Sequence, residues 1–273
     1  MTISAMNNLT VQVSATGQSP LPQSVTTFGC SEATPAQQEA EVWDEERTRF
    51  KPHLLLKAES FRFRPLFKTV PSTIWYSGLV SPTGCYLYAN RILPAGQRLK
   101  LSLSPRQEGT VEFDGDVVIP TLFDLGKQPP EPWMSLTPQE MITQRPGIRR
   151  ASGTVMVGGL GLGWFLRKVH DREEVERVIL VEKCHELLDW YGYEFCRSLP
   201  KVTDVICGDV YDQIGRFGAK TKHLLDIWKG YAECLLDERF RWHKRRYKHV
   251  WGWGEEAAGS GLTYKNGTLV VTK

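Results

Sequence analysis

The sequence predicts an α/β protein, a mostly parallel sheet flanked by helices and preceded by a small antiparallel β domain. Three observations predict it. From Gly153 onward, apolar runs alternate with helical patterns, as strands joined by crossover helices require. Between Phe61 and Phe123 the apolar runs are short and broken by Pro and Gly, as in antiparallel strands joined by turns. A glycine-rich stretch from Gly158 to Gly163 follows a strand and opens a helix.

The 273 residues divide into three expected parts. Residues 1–45 are rich in Ser, Thr, Gln and Pro, bury too little apolar surface to offset their ordering entropy, and read as a flexible arm. Residues 46–135 form the small β-rich domain and residues 136–273 the parallel-sheet domain. A hydrophobic fraction of 41% and a charged fraction of 24% suit a soluble globular chain. A formal net charge of +3 excludes any strong global pull toward nucleic acid or membrane. Six cysteines show no paired or metal-ligand spacing and read as reduced thiols. The six histidines show no ligand spacing, so no metal is expected. No apolar run is long enough to cross a membrane and no basic-then-apolar leader begins the chain, so a cytoplasmic protein is expected.

In the first half, Ile74–Tyr76, Cys85–Tyr88, Leu99–Leu103, Thr110–Phe113 and Val117–Leu122 read as strands. Asp114-Gly115 between the last two is a hairpin signal, because that pair tolerates the positive φ of a tight turn. Thr137-Pro138-Gln139-Glu140 announces a helix: Thr137 caps, Pro138 suits the first position, and Glu140 closes a capping box. Strand Thr154–Val157, helix Trp164–His170 and strand Arg177–Val181 follow. Then come helix Cys184–Ser198, strand Val202–Cys207, strand His223–Ile227 and helix Tyr231–Arg246. The run Trp251 to Glu256 finishes a fifth strand and turns into a loop. Its two Trp residues are either core or pocket wall. Leu262–Lys265 and Thr268–Val271 flank Asn266-Gly267, a second hairpin signal.

Chemistry concentrates in the glycine loop and at the strand ends after it. Glycines there allow a tight turn and close approach of a ligand to backbone, and the helix beyond offers free N–H groups. Alone, such a loop serves equally as a plain turn. The next strand, however, ends at Glu182, where a carboxylate can accept from both ribose hydroxyls. The third ends at Gly208-Asp209, where a carboxylate can accept from an adenine amino group, and the fourth at Asp226-Ile227-Trp228. In a parallel sheet these ends line one crevice. Gly158, Gly159, Leu160, Gly161, Gly163, Glu182, Lys183, Asp209, Val210 and Asp226 are the candidate nucleoside-binding residues.

The G-x-G-x-G spacing of Gly159, Gly161 and Gly163, with Glu182, Asp209 and Asp226 in order, resembles the first motifs of class I S-adenosylmethionine-dependent methyltransferases over residues 150–230. The stretch Glu112–Asp116 followed by Pro132–Met141 looks like the small β domain and linking helix of the spermidine synthase family, which shares that core. The resemblance implies a Rossmann-like methyltransferase core, S-adenosyl-L-methionine as cofactor, and transfer of its methyl group. Aminopropyltransferases place an acid in the glycine loop, where this chain has Leu162, and a second acid after the fourth strand, where it has Lys229. Methyl transfer is therefore the leading expectation. Aminopropyl transfer and a non-catalytic nucleoside-binding protein are the alternatives.

For methyl transfer the protein mainly aligns nucleophile and methyl group, and a base is needed when the acceptor loses a proton. Asp226 is the first candidate for that role, Trp228 for a stacking wall, and Glu140, like Gln139, for facing the crevice from its helix. The expected acceptor is a small molecule or polyamine rather than nucleic acid. Homodimerisation is compatible with the sequence. The segment Glu238–Lys248 is strongly basic with interleaved aromatics. It reads either as a grip for phosphates or as a solvated helix with Phe240 and Trp242 partly buried.

Overall fold

Strands β9 (Gly153–Gly158), β10 (Val175–Glu182), β11 (Val202–Cys207), β12 (Lys222–Leu225) and β13 (Val250–Gly252) form one sheet in the order β11-β10-β9-β12-β13. Every neighbouring pair is parallel. This is seen in a computed structural model, which describes residues 53–61, 66–67, 72–73, 78–104, 107–218, 220–256, 262–265 and 268–271. The expected arm at 1–45, the strand at 74–76 and the turn at 266–267 lie outside the described residues.

The sequence of these strands explains why the sheet is buried on both faces. Side chains alternate along a strand, so Val155 and Val157 of β9 join Val178, Leu180 and Leu224 in one apolar cluster. Met156, Ile179, Val181 and Leu225 join a second cluster on the opposite face. Both sets are apolar, which gives the near-continuous hydrophobic runs typical of parallel strands. Each fully buried side chain of this size contributes about 1.5–3 kcal/mol.

Helices cover the sheet. Helix α1 (Pro138–Arg150) starts as its sequence predicts, with the Glu140 N–H donating to Thr137 Oγ1 at 3.3 Å and Pro138 in the first turn. Helix α2 (Trp164–His170) packs on β10. The expected helix after β10 is helical from His185 to Arg197, here α3, but has a π-helical middle at Leu188–Gly192. The expected helix over 231–246 is interrupted. A 3-10 turn spans Glu233–Leu235 after Ala232 at φ 71°, and α4 (Glu238–Arg246) begins only where Asp237 Oδ1 accepts from the Arg239 and Phe240 N–H groups. An aspartate at this position competes with helix continuation by capping a new one.

The first half holds two sheets. In one, β1 (His53–Leu56) runs parallel to β6 (Gln107–Phe113), which pairs antiparallel with β5 (Leu99–Ser104). The other has the order β2 (Ser72–Thr73), β4 (Tyr86–Leu93), β7 (Val117–Asp124), β8 (Glu131–Ser135), with β3 (Leu79–Val80) also on β4. The Asp114-Gly115 hairpin is not formed. Strands β6 and β7 belong to different sheets, and Gly115 does not adopt a positive φ. Asp114 and Asp116 instead accept from the Ala58 and Ala95 N–H groups at 2.7 and 2.9 Å, fixing the passage between sheets. The tail strands β14 (Leu262–Lys265) and β15 (Thr268–Val271) pair antiparallel as expected. One apolar cluster runs through both halves, joining Tyr88, Phe113 and Leu122 to Val155, Leu180 and Trp251. Among the described residues no helix is long and apolar enough to cross a membrane.

Candidate functional site

In the strand order β11-β10-β9-β12-β13 the chain direction of winding reverses between β9 and β12, and ligands of such sheets bind beyond the strand ends at that point. The glycine loop sits there, tied to both neighbours. The Gly159 N–H donates to Val181 O at 2.9 Å, and the Asp226 N–H donates to Gly158 O at 2.8 Å. Gly159 has φ 94°, and a Cβ there would run into the carbonyl oxygen of Asp226. Gly161 has φ 48°, and a Cβ there would run into the Met134 side chain. Both glycines also line a cavity of about 590 Å³.

Glu182 ends β10, as the sequence predicts, and is 7% exposed. Its two carboxylate oxygens accept from the Leu160 and Cys184 N–H groups, each at 2.7 Å. The carboxylate thus braces the glycine loop while keeping free lone pairs on the cavity side. Asp209 lines the same cavity. Its Oδ1 accepts from the Tyr211 N–H at 3.0 Å, and its Oδ2 meets Arg239 at 2.9 Å and Lys183 at 3.6 Å. Burial opposes ionisation of Asp209, but the Tyr211 N–H and the Arg239 guanidinium hold its carboxyl below the usual range. Arg239 also stacks over the Tyr211 ring at 4.5 Å, closing this end of the cavity with positive charge.

At the other end two acids meet. Asp226, just past β12, and Glu140, in the first turn of α1, both line the cavity and are partly buried. Burial raises the Asp226 carboxyl to about 7. Burial, and then the neighbouring Asp226, push Glu140 well above the carboxylate range, against the opposing pull of the Thr137 and Ser135 backbone. Gln144, one turn after Glu140, donates from Nε2 to Asp226 Oδ2 at 2.5 Å. Its Oε1 is buried with no hydrogen-bond partner among the described residues. Three side chains bearing acceptors lie together here, and among the described residues no ion pair neutralises either acid.

The predicted residues are thus largely brought together. Gly159, Gly161, Glu182, Lys183, Asp209, Val210, Asp226, Trp228 and Glu140 all line one cavity. Gly158, Leu160 and Gly163 lie behind it: Gly158 and Leu160 hold the loop by backbone bonds, and Gly163, at φ 74°, caps α2. Gln139 is not among the lining residues. The capping and cavity readings of Glu140 both hold, since its carboxyl meets the Thr137 backbone and the cavity. The two Trp readings divide: Trp251 is core against Phe165, while Trp253 is cavity wall and donates from Nε1 to Thr143 Oγ1 at 2.9 Å. Trp228 is held by its Nε1 donating to Asp237 at 3.1 Å.

Sequence reasoning missed Gln144, Arg239 and the wall from the antiparallel sheet, Tyr86, Trp133 and Met134. The four-residue spacing of Glu140 and Gln144 marks a shared helix face and was a usable signal. Arg239 reaches Asp209 across 30 residues, which only tertiary packing reveals.

Among protein-family models, curated proteins and solved structures, none matches this chain. The chain is an α/β protein whose five-stranded all-parallel sheet is compatible with a Rossmann-like fold.

Proposed function

We propose that the chain is an S-adenosylmethionine-dependent methyltransferase. One observation carries the reading: the glycine loop and the Glu182 and Asp209 carboxylates face a single cavity at the winding reversal of the sheet. Its size falls within the roughly 300–1,000 Å³ of small-molecule sites. The residues fit an adenosine. Glu182 keeps lone pairs for ribose hydroxyls, and Val210 and Gly208 line the cavity beside Asp209. Asp209 departs from the simplest expectation, because Arg239 already holds its Oδ2.

When bound, S-adenosylmethionine supplies a methyl group activated by its sulfonium. The chain's own residues align the acceptor and handle its proton. Asp226 titrates near neutrality, where a general base is most effective. Gln144 fixes the orientation of that carboxyl, and Glu140 can share its proton. Trp228, Trp253, Tyr86 and Trp133 wall the space. A second reading, aminopropyl transfer, draws support from the two carboxyls of Glu140 and Asp226 on the cavity wall and the unpartnered Gln144 Oε1 beside them, acceptors that suit an amine. Against it, Leu162 is buried in the core and leaves the loop without an acid.

Calorimetric titration with S-adenosylmethionine, S-adenosylhomocysteine and decarboxylated S-adenosylmethionine tests both readings. The expected result is binding of the first two, weakened at least tenfold in Glu182→Gln. Preference for the decarboxylated ligand transfers the assignment to aminopropyl transfer, and absence of binding by all three refutes both.

A further inference from the structure

Helix α4 contains nine residues, of which only Phe240 is buried. From Arg239 to His249 the chain carries six Arg and Lys residues and no acid, although the whole chain has a net charge of only +3. The rest of the molecule is therefore net negative, so this segment carries the chain's excess of positive charge. Such polarity steers anionic partners to one face.

Internal partners absorb only part of this charge. Arg239 is held by Asp209 and Asp212, and Lys244 by Glu255. Arg241 has a loose contact with Glu238 at 3.8 Å, and that acid is itself 91% exposed. Arg245 and Lys248 are exposed and make no ion pair among the described residues. Arg246 lies over the Trp242 ring at 5.4 Å instead of near a carboxylate. Trp242 is 49% exposed, so about half of its indole faces solvent. The loop after β11 extends the patch. Gly215 lies against the Tyr247 ring, and Arg216 and Lys220 on that loop are exposed.

We propose that the outer face of α4, with Trp242 and the cations Arg241, Arg245, Arg246 and Lys248, binds single-stranded nucleic acid. The cations match the phosphates, and a half-exposed indole flanked by a guanidinium matches an unpaired base; that combination is how strands are held without sequence readout. An anionic membrane fits less well. A helix lying in a bilayer surface needs an apolar face, and α4 turns its other large apolar residue, Phe240, into the core. The inference is independent of what occupies the cavity.

The test is fluorescence anisotropy of a labelled oligothymidylate of 20 nucleotides titrated with the full chain. Engagement of four phosphates gives a log–log salt slope of roughly −2.8, a loss of about 50-fold between 50 and 200 mM salt. Trp242→Ala is expected to weaken binding between about 5- and 150-fold. The exposed triple variant Arg245→Glu, Arg246→Glu, Lys248→Glu is expected to abolish it while leaving the circular dichroism spectrum and thermal midpoint of the chain in place. A wild-type chain that does not bind the oligonucleotide at 50 mM salt overturns the proposal. So does binding that survives the triple substitution in a folded chain, or capture by phosphatidylserine vesicles without capture of the oligonucleotide.

Discussion

Replacing Asp226 by Asn should make the protein more stable at alkaline pH, and the gain should vanish in acid. The Asp226 carboxyl is lifted by burial to about 7, whereas an unfolded aspartate titrates near 3.9. The folded state therefore holds a proton that the unfolded state has lost between those two values. Stability from this group is fully present below about pH 4 and is lost as pH rises through 7. Three units at about 1.36 kcal/mol each amount to about 4 kcal/mol. Between pH 5 and 8 about two units are traversed, and water in the cavity solvates part of the charge, leaving about 2 kcal/mol. Asn keeps an oxygen for the Gln144 Nε2 bond and cannot ionise. The assay is urea denaturation of both proteins at pH 5 and pH 8, with equal m-values required. Expected is an advantage of the variant at pH 8 over that at pH 5 of about 2 kcal/mol. Parallel pH dependence of variant and wild type would refute the claim that this carboxyl is forced to ionise in a partly buried, unneutralised setting.

Other substitutions probe the scaffold. Gly159→Ala demands a left-handed conformation and a collision with the Asp226 carbonyl, so a loss of more than about 3 kcal/mol in chemical denaturation is expected. Gly147→Ala improves helix propensity by about 1 kcal/mol but drives a methyl into the Trp251 ring, and a net loss of about 1–3 kcal/mol by thermal melting is expected. Thr143→Val removes the acceptor of the buried Trp253 Nε1–H and should cost about 1–3 kcal/mol, read by denaturation and by a shift of tryptophan emission.

Much of the parallel-sheet half was legible because each of its signals is local. The boundaries of α2 and β11 follow from apolar runs and glycine or proline punctuation, and Thr137-Pro138 carries its cap in four residues. Glu182, Asp209 and Asp226 were found because strand ends in such a sheet must face one side. Reading failed where a local signal served a distant partner. Asp114-Gly115 has the composition of a hairpin, yet its aspartate bonds Ala58 across 56 residues. Asp237 looked like a helix interior because the basic run after it is helical, while its carboxylate caps a new start and also accepts from Tyr211 and Trp228. The i, i+4 spacing puts Gln144 on the face of Glu140, but its bond to Asp226, 82 residues on, is visible only in the fold.

The sulfur of Met134, on β8 of the antiparallel sheet, accepts from the Leu162 N–H at 2.9 Å and packs onto Gly161. The glycine loop is thus clamped from outside its own sheet by an oxidisable atom. Conversion of that thioether to a sulfoxide would swell the clamp and press on the turn that shapes the cavity, coupling the redox history of one methionine to how readily the crevice accepts a guest.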